Sequence, residues 1–136
     1  MEIVTSDGKR FFDAGSAEDW KSLHSTVRVL LSDYKENIPL VFDFFEKGRC
    51  EGAVAQETAR QFNLVRDALS KFAPKEAVYD YESPQDPIPW IDSISPIVTS
   101  CANLYTTAEG QDLLFELVSI LTYASIKKVS VEAESA

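Results

Sequence analysis

Positive charge is missing from one long segment of the chain, because no lysine or arginine lies between Lys75 and Lys127. The same segment carries eight carboxylates: Glu76, Asp80, Glu82, Asp86, Asp92, Glu109, Asp112 and Glu116. The formal net charge of the whole chain is −9. Such a surface repels the phosphates of nucleic acids, so we expect no nucleic-acid partner. It suits a basic partner protein instead.

Long apolar runs are absent as well. No stretch approaches the roughly 20 residues that a membrane-spanning helix needs. The N-terminal residues MEIVTSDGKRFFD contain neither the basic nor the apolar region of a secretory signal. We therefore predict a cytoplasmic protein with no membrane partner. Cysteine is scarce, and Cys50 and Cys101 are far apart without metal-ligand spacing, so we predict reduced, partly buried thiols rather than a disulfide.

Residues typical of catalytic sites are few. The only histidine, His24, adjoins the apolar stripe of a predicted helix without a nearby Asp-His or Cys-His pattern, which favours a part-buried structural role. The five glycines form no phosphate-binding motif. Asp80, Glu82 and Asp86 lack the turn glycine and terminal glutamate of a calcium loop. We predict no metal, no cofactor and no enzymatic activity.

Local patterns predict a hairpin followed by helices. The Asp-Gly pair at 7–8 is a two-residue turn signal between the strand-like segments EIVTS and KRFFD. Ser16 and Asp19 resemble a capping box, and they precede a helix whose apolar stripe runs from Trp20 to Tyr34. These features indicate that the chain begins with two short strands and an amphipathic helix.

Three more helices and two more strands are predicted. The helices lie at about 39–47, which begins with a proline and stops at a glycine, at about 51–72, and after a capping box formed by Thr106 and Glu109. Alternating side chains predict strands near 77–82 and near 128–134. We expect a single α+β domain over residues 1–136, in which about four helices pack on a small, mainly antiparallel sheet.

The stretch YDYESPQDPIPWIDSISP, from Tyr79 to Pro96, contains four prolines, four carboxylates and a tryptophan. Because proline fixes its own backbone angle, this stretch should form a stiff connection rather than a linker. Trp90 either holds the loop against the core or serves as an exposed binding anchor. The carboxylates either meet a basic partner or form an ordinary solvated face.

Several of these segments occur together in one known family. They are the aromatic-acidic segment VYDYE, a Pro-x-Pro-Trp loop, Ser-Pro followed by Thr-Ser, an aromatic-Thr pair before a glycine, and an amphipathic helix. In this order they resemble the immunity protein 70 family of bacterial polymorphic-toxin systems, from about Phe11 to Ala124. The resemblance implies a non-enzymatic antitoxin that binds the C-terminal domain of a secreted LXG-type toxin, often a nuclease, in the cytoplasm of the producing bacterium.

The residues and the resemblance together suggest a toxin-binding surface. We expect it to contain Asp80, Tyr81, Glu82, Asp86, Trp90, Asp92, Glu109 and Asp112. Two alternatives stay open. A small hydrolase using an Asp/Glu pair would place two carboxylates with a raised pKa in one pocket. A self-associating adaptor would expose a large apolar patch. The sequence does not indicate the oligomeric state.

Overall fold

Four short strands form one antiparallel sheet in the computed structural model, which describes residues 1–135. The strands are β1 (Glu2–Thr5), β2 (Phe11–Asp13), β3 (Arg49–Cys50) and β4 (Val131–Glu134). Their order in the sheet is β2-β1-β4-β3. The two central strands therefore come from distant parts of the sequence, and Ile3 lies opposite Ala133 in their register.

Within residues 1–135, four α-helices cover the sheet: α1 (Ala17–Leu30), α2 (Pro39–Lys47), α3 (Gly52–Leu69) and α4 (Leu113–Lys127). Local chemistry sets several of their ends. Ser16 caps α1 in a capping box with Asp19, because its hydroxyl satisfies one of the free N–H groups of the first turn. Pro39 opens α2, and Gly48 ends it with a left-handed φ of 67°, a conformation that glycine adopts without steric cost.

The core lies between the helices and one face of the sheet. The inward-facing strand residues Ile3 and Val131 are completely buried, while Phe11 on the opposite face is 68% exposed. Phe44 of α2 and Phe62 of α3 meet edge-to-face with a centroid separation of 6.2 Å, which is within the usual range for aromatic pairs. Helices α3 and α4 pack side by side across this core.

The α+β class, the N-terminal hairpin and the C-terminal strand are confirmed. The predicted strand near 77–82 is wrong, because this segment makes only a single bridge, between Val78 and Pro87. Pro87, which faces Val78, lacks an N–H donor and so limits further backbone pairing. The fourth strand of the sheet is instead Arg49–Cys50, which is too short to show an alternating pattern.

The predicted start of the last helix is also wrong. Thr106 and Glu109 do not cap it, because Gly110 adopts a φ of 87° and turns the chain before the helix begins. Asp112 is the actual N-cap of α4, and its Oδ1 accepts a hydrogen bond from Phe115 N at 3.1 Å. Between α3 and α4 the chain contains two short 3₁₀ helices, Pro74–Glu76 and Ile91–Ser93, and otherwise turns.

Candidate binding surface

Three of the predicted carboxylates lie in one closed turn of the chain, which begins at Val78 and ends at Pro87. Two backbone hydrogen bonds shape the turn: Asp80 O accepts one at 2.9 Å, and Asp86 N donates the other at 3.0 Å. Glu82 and Asp86 are exposed on it. We call residues 78–92 the acidic loop, because this closed turn and the residues up to Asp92 carry four of the predicted side chains with negative charge.

Asp80 is used within the protein to hold this turn. Its Oδ1 accepts a hydrogen bond from Glu82 N at 3.0 Å, and its Oδ2 lies 3.2 Å from the Lys21 ammonium of α1. The backbone hydrogen bond and the lysine lower the pKa of Asp80 below its ordinary value. A general acid of a hydrolase needs the opposite shift, so this carboxylate does not fit that role.

Tyr81 is half-buried against helix α1 rather than fully exposed. The Arg28 guanidinium lies 4.0 Å from the centre of its ring, a cation–π contact. The ring of His24, one turn earlier on α1, lies 6.1 Å from the ring of Tyr81. The His24 ring also stacks on the ring of Phe45, with a centroid separation of 4.8 Å. Two basic residues of α1 therefore contact the acidic loop: Lys21 pairs with Asp80, and Arg28 lies over the ring of Tyr81.

Trp90 is also half-buried, and it packs against the edge of the hydrophobic core. Its ring meets Tyr79 edge-to-face at 6.0 Å. Asp92 follows in the 3₁₀ helix and is exposed. The structure thus brings Asp80, Tyr81, Glu82, Asp86, Trp90 and Asp92 into one continuous stretch whose aromatic residues face the protein.

A buried polar network anchors the base of the loop, and sequence reasoning missed it. Val78 N donates to Thr26 Oγ1 at 2.9 Å, and Val78 O accepts from Ser22 Oγ at 2.8 Å. The Tyr105 hydroxyl lies 2.8 Å from Ser22 Oγ and 2.7 Å from Thr26 Oγ1. Burial raises the pKa of Tyr105 to about 12. Ser22 and Thr26 are four residues apart on the buried face of α1. A polar pair on an otherwise apolar helix face predicts buried hydrogen-bond partners, and this pattern could have indicated the network.

Glu109 and Asp112 lie on a different turn. Glu109 is exposed in a turn closed by a hydrogen bond from Gly110 N to Thr107 O at 2.9 Å. Ala108 N donates to Asp13 O at 2.9 Å, which ties this turn to the N-terminal hairpin. Asp112 caps α4, as described above. These two residues are therefore held by other elements than the acidic loop.

Carboxylates also meet in one groove of about 490 Å³ between α3 and the 99–103 segment. Asp67 and Asp112 line it, but Arg66 lines it too, and Asp112 is engaged as a helix cap. None of the carboxylates of the acidic loop lines this groove. Within residues 1–135, no three His, Cys, Asp or Glu side chains are grouped so that they could hold a metal ion.

The most exposed large apolar side chains among residues 1–135 are spread over three elements. Ile97 is 80% exposed in the segment before α4, Ile126 is 71% exposed on α4, and Phe11 lies on β2. These exposed fractions do not by themselves define the one large apolar patch that a self-associating adaptor needs.

The chain can be compared with known protein families, curated proteins and solved structures. Among residues 1–135, no helix combines the length and apolar character needed to cross a bilayer. No curated protein and no solved structure matches the chain significantly. The family model described as Immunity protein 70 matches residues 4–133, which takes in all four strands and all four helices at least in part. Because this match spans nearly the whole protein, the chain belongs to the immunity protein 70 family.

Proposed function

We propose that the protein binds and neutralises a cognate secreted toxin domain, in the cytoplasm of the bacterium that produces both. Membership of the immunity protein 70 family supports an antitoxin role. A nuclease is the toxin class that suits this chain best, because a domain that acts on nucleic acid needs basic residues around its site. The observation that supports the acidic loop as the docking surface is its exposed charge on a fixed backbone.

The loop carries uncompensated charge where a partner could reach it. Glu82, Asp86 and Asp92 are exposed, and none of them forms an ion pair within residues 1–135. Lys21 contacts the loop, but its ammonium group is already paired with Asp80. A basic toxin surface would be drawn to such a region, and this attraction can raise association rates to about 10⁸ M⁻¹s⁻¹ at low salt.

The loop is also ordered before any partner arrives. Its base is held by the buried contacts of Val78, its turn by Asp80, and its far end by the packing of Trp90 on Tyr79. Each side chain that is already fixed avoids an ordering cost of about 0.5–1.5 kcal/mol on binding. A preformed acidic surface of this kind is suited to blocking a basic active site.

The test is a triple replacement, Glu82→Gln, Asp86→Asn and Asp92→Asn, measured by binding kinetics against the C-terminal domain of the LXG-type toxin that we propose as the partner. We expect association to slow by about tenfold or more at low salt and its salt dependence to flatten, with dissociation little changed. Glu2→Gln, Asp33→Asn and Glu36→Gln change the charge equally at other exposed positions and should stay within about twofold of the wild type.

Two failures have different meanings. If the wild-type protein neither binds that toxin domain nor blocks its activity, the antitoxin proposal is wrong. If it binds but the loop and control variants associate equally fast, the antitoxin role stands and another surface makes the contact.

A further inference from the structure

A cavity of about 240 Å³ opens beside the acidic loop, between the first turn of α1 and the chain that leads to α4. Its walls combine aromatic, aliphatic and carboxylate groups. The side chains that matter most are Trp90, Tyr105, Leu104, Val98 and Asp19. Leu104 and Tyr105 are buried, whereas Trp90, Val98 and Asp19 are half-buried. The cavity therefore combines apolar side chains with the hydroxyl residues Ser93, Ser95 and Thr106 and a single acidic group, Asp19.

The carboxylate of Asp19 has unused acceptor capacity. Its Oδ2 accepts a long hydrogen bond of 3.4 Å from Ser16 N, and its Oδ1 accepts none from residues 1–135. No lysine or arginine lines the cavity. Glu18 and Asp92, which are next in sequence to the wall residues Asp19 and Ser93, are exposed and negatively charged. A group that enters this cavity meets a negative potential and a free acceptor.

We propose that the cavity receives one lysine or arginine side chain of the toxin, a deeper inference that rests on the proposed function. The aliphatic stem would lie along Leu104 and Val98, as the stems of basic side chains do on apolar surfaces. The charged head would pair with Asp19 and lie near the ring of Trp90, which offers a cation–π contact. Arginine is one of the residues enriched at the hot spots of protein interfaces.

An apolar side chain of the toxin fits this cavity less well. It would cover the Asp19 carboxylate and exclude water without offering a hydrogen-bond donor, and an unpaired buried charge is costly. A basic side chain satisfies both the apolar walls and the carboxylate. Charge complementarity therefore selects a cation as the occupant.

Kinetics separate this pocket from the rim of exposed charge on the acidic loop. Removing a rim charge changes mainly the association rate, whereas removing one partner of a desolvated charge pair changes mainly the dissociation rate. The replacement Asp19→Asn keeps the size of the side chain and an oxygen for Ser16 N. We expect it to speed dissociation from the toxin domain by about 10- to 100-fold, with association changed by about twofold at most. Asp33→Asn, with the same charge change at an exposed site on the 3₁₀ turn after α1, should leave both rates unchanged.

A second variant tests occupation of the cavity without altering charge. Ser93 lines the wall and is exposed, so Ser93→Leu should reduce the free volume with little effect on folding, which thermal unfolding of both variants would check. We expect it to speed dissociation as well. In addition, alanine replacement of one toxin lysine or arginine should lose its effect on binding in the Asp19→Asn background.

Each of the four possible outcomes with a toxin that binds the wild type is decisive. If Asp19→Asn alone speeds dissociation, the toxin contacts this carboxylate from outside the cavity and the inference is wrong. Faster dissociation of both variants supports the pocket. If Ser93→Leu weakens binding and Asp19→Asn does not, the cavity takes an apolar side chain and the proposal of a cation is wrong. If neither variant changes dissociation, the cavity is empty in the complex and the inference is wrong, while the proposed function stands. A toxin domain that fails to bind the wild type refutes the proposed function itself.

Discussion

Replacing Thr26 by valine removes a single hydroxyl from the base of the acidic loop while keeping the shape of the side chain. In the wild type this oxygen accepts the hydrogen bond of Val78 N at 2.9 Å and contacts the Tyr105 hydroxyl at 2.7 Å and Val78 O at 3.1 Å. Thr26 and Val78 are 0% and 2% exposed, so water does not readily replace the lost oxygen. The variant therefore leaves a buried backbone N–H without a partner.

The expected loss follows from these contacts. Val78 N is a buried donor left unsatisfied, which costs about 1–3 kcal/mol, and the separate hydrogen bond lost with the Tyr105 hydroxyl costs about 0.5–1.5 kcal/mol more. Val78 O keeps its bond from Ser22 Oγ, so it adds little to the loss. We expect the free energy of unfolding to fall by about 2–4 kcal/mol, a large part of the stability of an ordinary domain.

Urea unfolding followed by tryptophan fluorescence would measure this loss, with the slope of the transition used to confirm that the unfolded state is unchanged. Two variants provide matched controls. Tyr105→Phe removes a hydroxyl from the same network but strands no backbone N–H, so it should cost less than Thr26→Val. Ser25 is the neighbour of Thr26, and its buried Oγ has no hydrogen-bond partner within residues 1–135, so Ser25→Ala should be neutral or slightly stabilising. The reasoning would be refuted if Thr26→Val lowered the free energy of unfolding by less than about 1 kcal/mol, or if Ser25→Ala lowered it more than Thr26→Val does.

Two further predictions concern pH and packing. Burial, and then the nearby Arg28, lower the pKa of His24 below 6.5, against a smaller opposing effect of Glu46. As the pH falls, His24 therefore becomes protonated in the unfolded chain before it does so in the folded protein. The free energy of unfolding should decrease as the pH drops below about 6.5. His24→Phe keeps a ring against Phe45, and urea unfolding between about pH 7 and pH 5 should show a smaller loss than the wild type, while an equal loss would contradict the assignment. Gly52→Ala would place a Cβ 2.7 Å from Val129 O, so we expect a loss of about 1–3 kcal/mol in the same assay, and a neutral result would show that the two backbones can separate.

The parts of the fold set by local chemistry could be predicted from the sequence. The capping box at Ser16 and the Pro39–Gly48 limits of α2 each depend on neighbouring residues, and each is found where it was expected. The hairpin is found too, but its two-residue Asp-Gly turn is wrong, because Thr5 pairs with Arg10 and the turn between them is closed by a hydrogen bond from Gly8 N to Thr5 O. The segment near 77–82 has the alternation of a strand, but the backbone of Val78 bonds to α1 instead of a neighbouring strand. That choice depends on side chains more than fifty positions away, which no local pattern contains.

The candidate surface was predictable to the same extent. Exposure of Glu82, Asp86 and Asp92 follows from their charge, because lone carboxylates are rarely buried. The internal use of Asp80 could not be foreseen, because its partner Lys21 lies 59 positions away. The cavity beside Trp90 was also invisible in the sequence, since its walls come from α1, the acidic loop and the approach to α4 and meet only in the folded protein.

The pairing of β1 with β4 at the centre of the sheet has a consequence for when the sheet can form during synthesis. During synthesis, Glu2–Thr5 leaves the ribosome first, but its partner Val131–Glu134 follows on the order of ten seconds later at bacterial translation rates. Until then one edge of β1 has no strand beside it, and unpaired edges favour pairing with other chains. The complete sheet therefore forms only after translation has reached β4. Under the proposed function, copies that are already folded must supply the neutralising activity until then.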